Sequence, residues 1–165
     1  MNAARIEMLQ RMPVFGALSD DAITFLLDIA HTVAVPAQHD FFRQGDPATG
    51  LYVLERGDAS VIKGWQGRQF LLHRLHAGDC FGEMALLDLM PRSATVRADD
   101  DCQALLLRSD DLMQLYEHDL EQFTLIQMNL AREVSRRLRD TDERLFELQM
   151  GRPLPPAPPE WAGPA

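Results

Sequence analysis

The 165-residue sequence is short of cysteine and of long apolar runs, and each shortage excludes a class of protein. Its two cysteines, Cys80 and Cys102, are too few for a disulfide framework, so we expect both to be reduced and buried. No stretch approaches the ~20 apolar residues that a membrane span needs, and the charged residues 1–12 are unlike a signal peptide. We therefore expect a cytoplasmic protein that does not associate with a membrane.

Positive charge is scarce as well. The formal net charge is -9, and Lys63 is the only lysine among the 16 basic residues. This balance argues against a surface that neutralises a nucleic-acid backbone over a broad area. It is compatible with a small basic pocket, because the planar guanidinium of arginine suits bidentate recognition of an oxyanion.

The first 31 residues are predicted to form a helical segment. Residues 3–12 have the pattern of a short amphipathic helix. A second helix is predicted over residues 19–31, because Ser19 is a suitable N-cap and Asp20 and Asp21 suit the first turn.

Residues 32–108 have the pattern of a β-barrel. Short apolar runs alternate with turn signals at a spacing of about ten residues, which is typical of an antiparallel sandwich or jelly roll. We predict strands over residues 51–54, 59–63, 69–75, 94–97 and 104–107.

Helical periodicity returns in residues 109–150. A short helix is predicted over residues 110–117 and a long one over residues 120–150, with a narrow apolar stripe typical of a coiled-coil seam. We predict a parallel homodimer through this helix; the alternative is that it packs against its own barrel. Residues 151–165 contain six prolines and are predicted to be a disordered tail. The pattern as a whole predicts a mainly β (α+β) fold, an antiparallel jelly-roll β-barrel with N-terminal helices and a long C-terminal helix.

The segment from Phe81 to Arg92 carries the candidate chemistry. A turn that enters a short helix exposes unpaired backbone N–H groups, and these attract an anion together with the helix dipole. Gly82 allows close approach of the backbone, while Glu83 either complements the dipole or takes part in binding. Arg92 is expected to point inward at the start of an apolar strand, where it needs a partner. Either Glu83 or a bound ligand is a candidate for that partner.

Two motifs in this segment resemble the phosphate-binding cassette of the cyclic-nucleotide-binding domain family. The family pattern F-G-E-[L/I/M]-A-L matches residues 81–86, FGEMAL, and P-R-[A/S/T]-A-[T/S]-V matches residues 91–96, PRSATV. Both charged residues have the spacing found in protein-kinase-A regulatory subunits. The resemblance extends roughly over residues 8–148 and includes FRQGD at residues 42–46.

The resemblance implies a role for each part of the cassette, which comprises residues 81–96. Glu83 would accept a hydrogen bond from the ribose 2′-hydroxyl, and Arg92 would pair with the cyclic phosphate. Backbone amides near Ala85 and Ser93 would complete the phosphate cradle, and Gly82 would admit the ribose. The remaining predicted binding residues of the cassette are Met84 and Ala94.

The resemblance also favours cAMP over cGMP as the ligand. The catabolite activator group of this family carries serine at the position of Ser93 and answers to cAMP. Thr141 matches a threonine that reaches the adenine in the same group; the alternative is a tolerated polar residue at a dimer seam. Val61 and Leu72 are candidates for the apolar wall around the base, and core packing is the alternative for each.

We therefore predict a sensor without catalytic activity, in which the nucleotide repositions the long helix for an unidentified protein effector. A cupin-type enzyme would need clustered metal ligands, but His73 and His76 lie three apart on a predicted strand and face opposite sides, so no metal site is expected. One alternative is an interaction module with a vestigial pocket. Another is the sensor half of a transcription regulator. Since only the proline-rich tail follows the long helix, without a helix-turn-helix, this chain is not expected to bind DNA.

Overall fold

The computed structural model describes residues 2–151, so the predicted tail lies almost entirely outside the described residues. The chain divides into two compact units, one ending at Leu130 and one beginning at Ala131. None of the helices between residues 2 and 151 is both long and apolar enough to cross a bilayer. In chain order the elements are α1 (Asn2–Gln10), a 3₁₀ turn (Pro13–Phe15), α2 (Asp20–Ile29), β1 (His31–Val35), β2 (Asp40–Phe42), β3 (Gly50–Arg56), β4 (Ala59–Trp65), β5 (Arg68–Leu75), β6 (Cys80–Phe81), α3 (Met84–Leu87), β7 (Thr95–Ala98), β8 (Cys102–Arg108), α4 (Ser109–His118) and α5 (Leu120–Gln149).

Two antiparallel four-stranded sheets form the centre of the first unit. The strand order is β1-β8-β3-β6 in one sheet and β2-β7-β4-β5 in the other. Consecutive strands such as β4 and β5 form a hairpin, whereas β3 pairs with the distant β8, so the chain crosses repeatedly between the sheets. Together with the flanking helices and the long α5, these sheets confirm the predicted mainly β architecture.

Strand β3 is buried on both faces. Leu51 and Val53 belong to an outer cluster with the helices, whereas Tyr52 and Leu54 belong to an inner cluster between the two sheets. The alternation follows from the period of two in a strand, in which successive side chains point to opposite faces. Because burying such a side chain contributes about 1.5–3 kcal/mol, β3 stabilises both apolar clusters at once.

Polar contacts hold the N-terminal helical segment in place. Oγ of Ser19 accepts a hydrogen bond from the Ala22 amide at 3.2 Å, which confirms the predicted N-cap of α2. The side-chain amide of the buried Asn129 donates to the carbonyls of Val14 and Gly16 at 3.2 and 2.8 Å. The first part of α5 is thereby fixed to the turn between α1 and α2.

The five predicted strands are present with small changes at their ends, but β1, β2 and β6 are additional. Strands β2 and β6 have only three and two residues, too short for a period of two to be visible in the sequence. The prediction that His76 shares a strand with His73 is wrong, because β5 ends at Leu75 and His76 follows it. There Nδ1 of His76 lies 2.8 Å from Oδ1 of Asp58.

Candidate ligand-binding site

The site begins where strand β6 ends and helix α3 starts. Gly82 has a φ of +80°, a left-handed conformation that residues with a side chain rarely adopt. A Cβ at this position would lie 2.5 Å from Nη1 of Arg92, too close for both to stay in place. Glycine is therefore needed here for its backbone conformation and for its lack of volume. Glu83 follows at the N-cap position of α3, but its side chain does not cap the helix.

Arg92 points into the barrel, as predicted. The residue is 3% exposed, and its Nη1 and Nη2 atoms donate to the carbonyls of Gly82 and Gly50 at 2.8 and 2.7 Å. Its Cζ lies 4.1 Å from the centre of the Phe42 ring, which is a cation–π contact. Its Nε is buried without a hydrogen-bond partner among residues 2–151. The sequence indicates that this arginine needs partners, but it does not identify the two carbonyls.

The charge of Arg92 is buried in a region that also contains a buried acid. Burial lowers the pKa of Arg92 below its ordinary value, and electrostatic interactions with Tyr52, Glu83 and Asp46 oppose that shift. Glu83 is 1% exposed, so an acid and a base are buried in the same region. Besides the carbonyls and the Phe42 ring, Glu83 is therefore among the groups that compensate the lost hydration of the guanidinium.

The backbone around Arg92 is fixed by two other segments. Its N–H donates to the carbonyl of Asp46, and its carbonyl accepts from the amide of Gly45, both at 2.9 Å. One residue further, Nζ of Lys63 donates to the carbonyl of Ser93 at 2.6 Å. The cassette is thus tied to the β2–β3 loop and to β4. These contacts could not be predicted from the sequence because the partners lie far apart along the chain.

The other predicted residues of the cassette lie around these groups. Met84 and Ala85 belong to α3, and the Met84 side chain is exposed. Ser93 is exposed, whereas Ala94 is buried in the inner cluster. Within the predicted cassette, the fold brings Gly82 and the Arg92 guanidinium together.

The two residues predicted for the base wall lie in different surroundings. Val61 is buried in the inner cluster and is paired with Val96 of β7. Leu72 is 45% exposed at a bulge in β5, where His73 and not Leu72 is paired with Val61. Directly paired residues share one face of a sheet, so His73 is the β5 residue on the face of Val61. No local pattern in the sequence identifies His73 as part of this face. The contact of Val61 and Leu72 with a base stays a prediction.

Thr141 lies in the second unit, on α5. Its side chain is exposed, and its hydroxyl donates to the carbonyl of Arg137 at 2.8 Å. Such a bond to the preceding turn is usual for threonine within a helix. A role of Thr141 in adenine recognition stays a prediction.

Comparisons with known proteins bear on this site. The family model described as "Cyclic nucleotide-binding domain" matches residues 32–119. The chain is 32% identical over 136 residues to the cyclic AMP receptor protein of Thermus thermophilus, covering 81% of this chain and 60% of that protein. It is 32% identical over 107 residues to a cAMP-dependent protein kinase regulatory subunit of Emericella nidulans, covering 65% of this chain and 26% of that protein. A crystal structure of a cyclic nucleotide-binding domain from Methylobacillus flagellatus superposes with a TM-score of 0.76 at 25% identity, covering 86% of this chain and 80% of that one.

The chain therefore belongs to the cyclic nucleotide-binding domain family, of the type found in catabolite activator proteins and protein-kinase-A regulatory subunits. It has the jelly-roll fold of its structural neighbours. The chain spans 60% of the length of the cyclic AMP receptor protein and 26% of the length of the kinase regulatory subunit.

Proposed function

We propose that this chain is a cAMP-binding regulatory domain of the cytoplasm, without catalytic activity of its own. The observation that carries the proposal is the buried guanidinium of Arg92, whose Nε has no hydrogen-bond partner among the described residues and which lies against Gly82. A hydrogen bond that involves a charged group contributes about 1.5–3 kcal/mol, and a guanidinium is attracted more strongly to an anionic acceptor than to a neutral carbonyl. A cyclic phosphate would supply an anionic acceptor for this guanidinium.

Each residue of the cassette has a role in this proposal. Arg92 pairs with the cyclic phosphate, and backbone amides near Ala85 and Ser93 complete the cradle. Glu83 accepts a hydrogen bond from the ribose 2′-hydroxyl, and Gly82 admits the sugar once the Arg92 guanidinium, which lies against it, has turned towards the phosphate. Of the remaining predicted residues, Met84 and Ala94 flank the cradle, Val61 and Leu72 line the wall around the base, and Thr141 reaches the adenine.

The preference for cAMP over cGMP rests on Ser93 and on the relatives. Ser93 is exposed beside Arg92, so its hydroxyl is available to the phosphate. Both relatives described above are named for cAMP. We propose cAMP as the ligand of this chain on the same ground.

Occupancy of the site would be transmitted through the long helix. In this proposal residues 1–31 are a helical support, residues 32–108 bind the nucleotide, and residues 109–150 respond to it by a shift in population. The responding helices would present a surface to a protein effector. A homodimer through residues 120–150 is supported by the apolar side chains that α5 exposes, which include Leu138, Leu145, Phe146 and Leu148.

Calorimetric titration of the chain with cAMP and with cGMP tests the proposal. We expect heat with both and a lower dissociation constant for cAMP. Arg92→Ala should weaken binding about a hundredfold, since each tenfold corresponds to about 1.4 kcal/mol and a charge-assisted bond is lost. Arg68→Ala is the matched control, because it removes an exposed arginine of the β4–β5 hairpin.

The absence of heat with either nucleotide, on protein that unfolds cooperatively, would refute the proposal. A second candidate function, an interaction module with a vestigial pocket, would then be favoured. One observation speaks for it: Nη1 and Nη2 of Arg92 already donate to the carbonyls of Gly82 and Gly50 without any ligand.

A further inference from the structure

Lys63 is an exposed residue near the end of strand β4. Val61, two residues earlier, is buried in the inner cluster, and the period of two in a strand puts Lys63 on the same face. Across the hairpin Lys63 is paired with Phe70. The single lysine of the chain therefore lies on the face of β4 that carries the buried Val61.

The ammonium group of Lys63 contacts the cassette and not an acid. Its Nζ donates to the carbonyl oxygen of Ser93 at 2.6 Å. Within residues 2–151 no carboxylate lies within ion-pair distance of it. The ammonium group of an exposed lysine is usually hydrated. A short hydrogen bond to a backbone carbonyl therefore indicates that a local interaction holds this flexible side chain.

This interaction depends on the backbone carbonyl groups in and around the cassette. Three carbonyl oxygens, those of Gly82, Gly50 and Ser93, accept from the cations of this region. A carbonyl oxygen next to an anion is repulsive unless a donor covers it. Arg92 donates to the carbonyl oxygens of Gly82 and Gly50, and Lys63 donates to that of Ser93. In a planar trans peptide the C=O and N–H point in opposite directions, so holding the Ser93 carbonyl also fixes the direction of the following N–H group.

We propose that Lys63 is a positioning residue of the nucleotide site, which binds the Ser93 carbonyl and thereby orients the cassette for the cyclic phosphate. This inference rests on the proposed function, and it assigns to the site a cation that lies outside the cassette motif. Lys63 acts through the backbone of Ser93 and does not itself need to contact the ligand.

The test compares Lys63→Met, Lys63→Arg and the wild-type chain in calorimetric titrations with whichever cyclic nucleotide the wild type binds more tightly. We expect Lys63→Met to raise the dissociation constant about tenfold, which corresponds to about 1.4 kcal/mol. Lys63→Arg keeps a cation on a long side chain and should restore most of the affinity. Arg68→Met is the matched control, since it removes a positive charge from the same hairpin without touching Ser93, and it should change the constant less than twofold.

Two further readouts separate positioning from a general loss of structure. The thermal midpoint of the ligand-free Lys63→Met protein should stay close to that of the wild type. The same titrations with the 2′-deoxy nucleotide should show the same loss, because Lys63 acts on the phosphate side and not on the ribose hydroxyl.

The outcomes are distinct for the two proposals. If the wild-type chain binds neither nucleotide, both are refuted. If the wild type binds and Lys63→Met equals either the wild type or Arg68→Met, only the role of Lys63 is refuted. A loss that appears with the ribonucleotide and not with the 2′-deoxy nucleotide would also refute it.

Discussion

The guanidinium of Arg92 fills the space that Gly82 leaves by lacking a side chain. A Cβ on residue 82 would lie 2.5 Å from Nη1 and 3.3 Å from Cζ of Arg92, while the Gly82 carbonyl accepts a hydrogen bond from the same Nη1. The glycine and the arginine of the cassette motif, ten residues apart, are therefore one structural unit.

Gly82→Ala should displace Arg92 and weaken nucleotide binding at least about tenfold, because the guanidinium of Arg92 would move away from the proposed position of the phosphate. The left-handed backbone also makes the substitution cost about 1–2 kcal/mol of stability. Gly67→Ala is a matched control, since Gly67 has a similar φ of +76° but nothing lies within 4 Å of its Cβ position.

Calorimetry and thermal unfolding of the two variants separate the effects. Both should lose stability through backbone strain, and only Gly82→Ala should lose affinity. Equal affinities in the two variants would contradict the close packing of Gly82 and Arg92.

Phe42→Leu should lower the free energy of unfolding by about 1–2 kcal/mol, because leucine keeps apolar volume but loses the aromatic face under Arg92. Phe42 also packs against the rings of Tyr52 and Phe81, with centroids 5.7 and 6.0 Å away. Denaturant unfolding measures the effect. Phe70→Leu, at an exposed position of β5, is the control and should change stability by less than about 0.5 kcal/mol; an equal loss in both variants would argue against the cation–π contact.

The stability of the barrel should depend on pH through Asp40. Burial raises the pKa of this carboxyl, but hydrogen bonds from Arg97 and Arg43 outweigh burial and hold the pKa below the ordinary 3.8. A depressed folded-state pKa stabilises the protein above the ordinary value, and this contribution is lost as pH falls through the lower folded-state value.

Asp40→Asn should therefore cost about 1–2 kcal/mol at pH 7, and the difference from wild type should shrink in acid, below about pH 4. Urea unfolding across this range gives the measurement. Asp28→Asn, at an exposed acid of α2, is the control. A difference between wild type and Asp40→Asn that stays constant down to low pH would show that the ion pairs do not stabilise the fold.

Much of the fold could be predicted from local pattern. The period of two identified the long strands, and Ser19 with two aspartates identified the start of α2, because these signals lie within a few neighbouring residues. Strand β6 could not be predicted from its two residues, since its only support is pairing with the distant β3.

The burial of Arg92 was predicted from its place at the start of an apolar strand, and the structure confirms it, but the contacts of Arg92 were not predicted. The partner carbonyl of Gly50 lies 42 residues away, and the Ser93 carbonyl is reached by Lys63 from 30 residues away. Such pairs depend on how the sheets close, which no local pattern records. Of the predicted base wall, Leu72 falls at a bulge, and a bulge changes which face a side chain takes without a signal in the sequence.

Gly50, which accepts a hydrogen bond from Arg92, is also the first residue of the strand whose alternate side chains enter both apolar clusters. A Cβ on residue 50 would lie 2.3 Å from the carbonyl oxygen of Leu107, so β3 and β8 leave no room for a side chain at this point. An anion that drew the guanidinium away from the Gly50 carbonyl would remove a hydrogen bond from the start of β3. Because β3 contributes side chains to both apolar clusters, a change in its position would alter the packing of both at once.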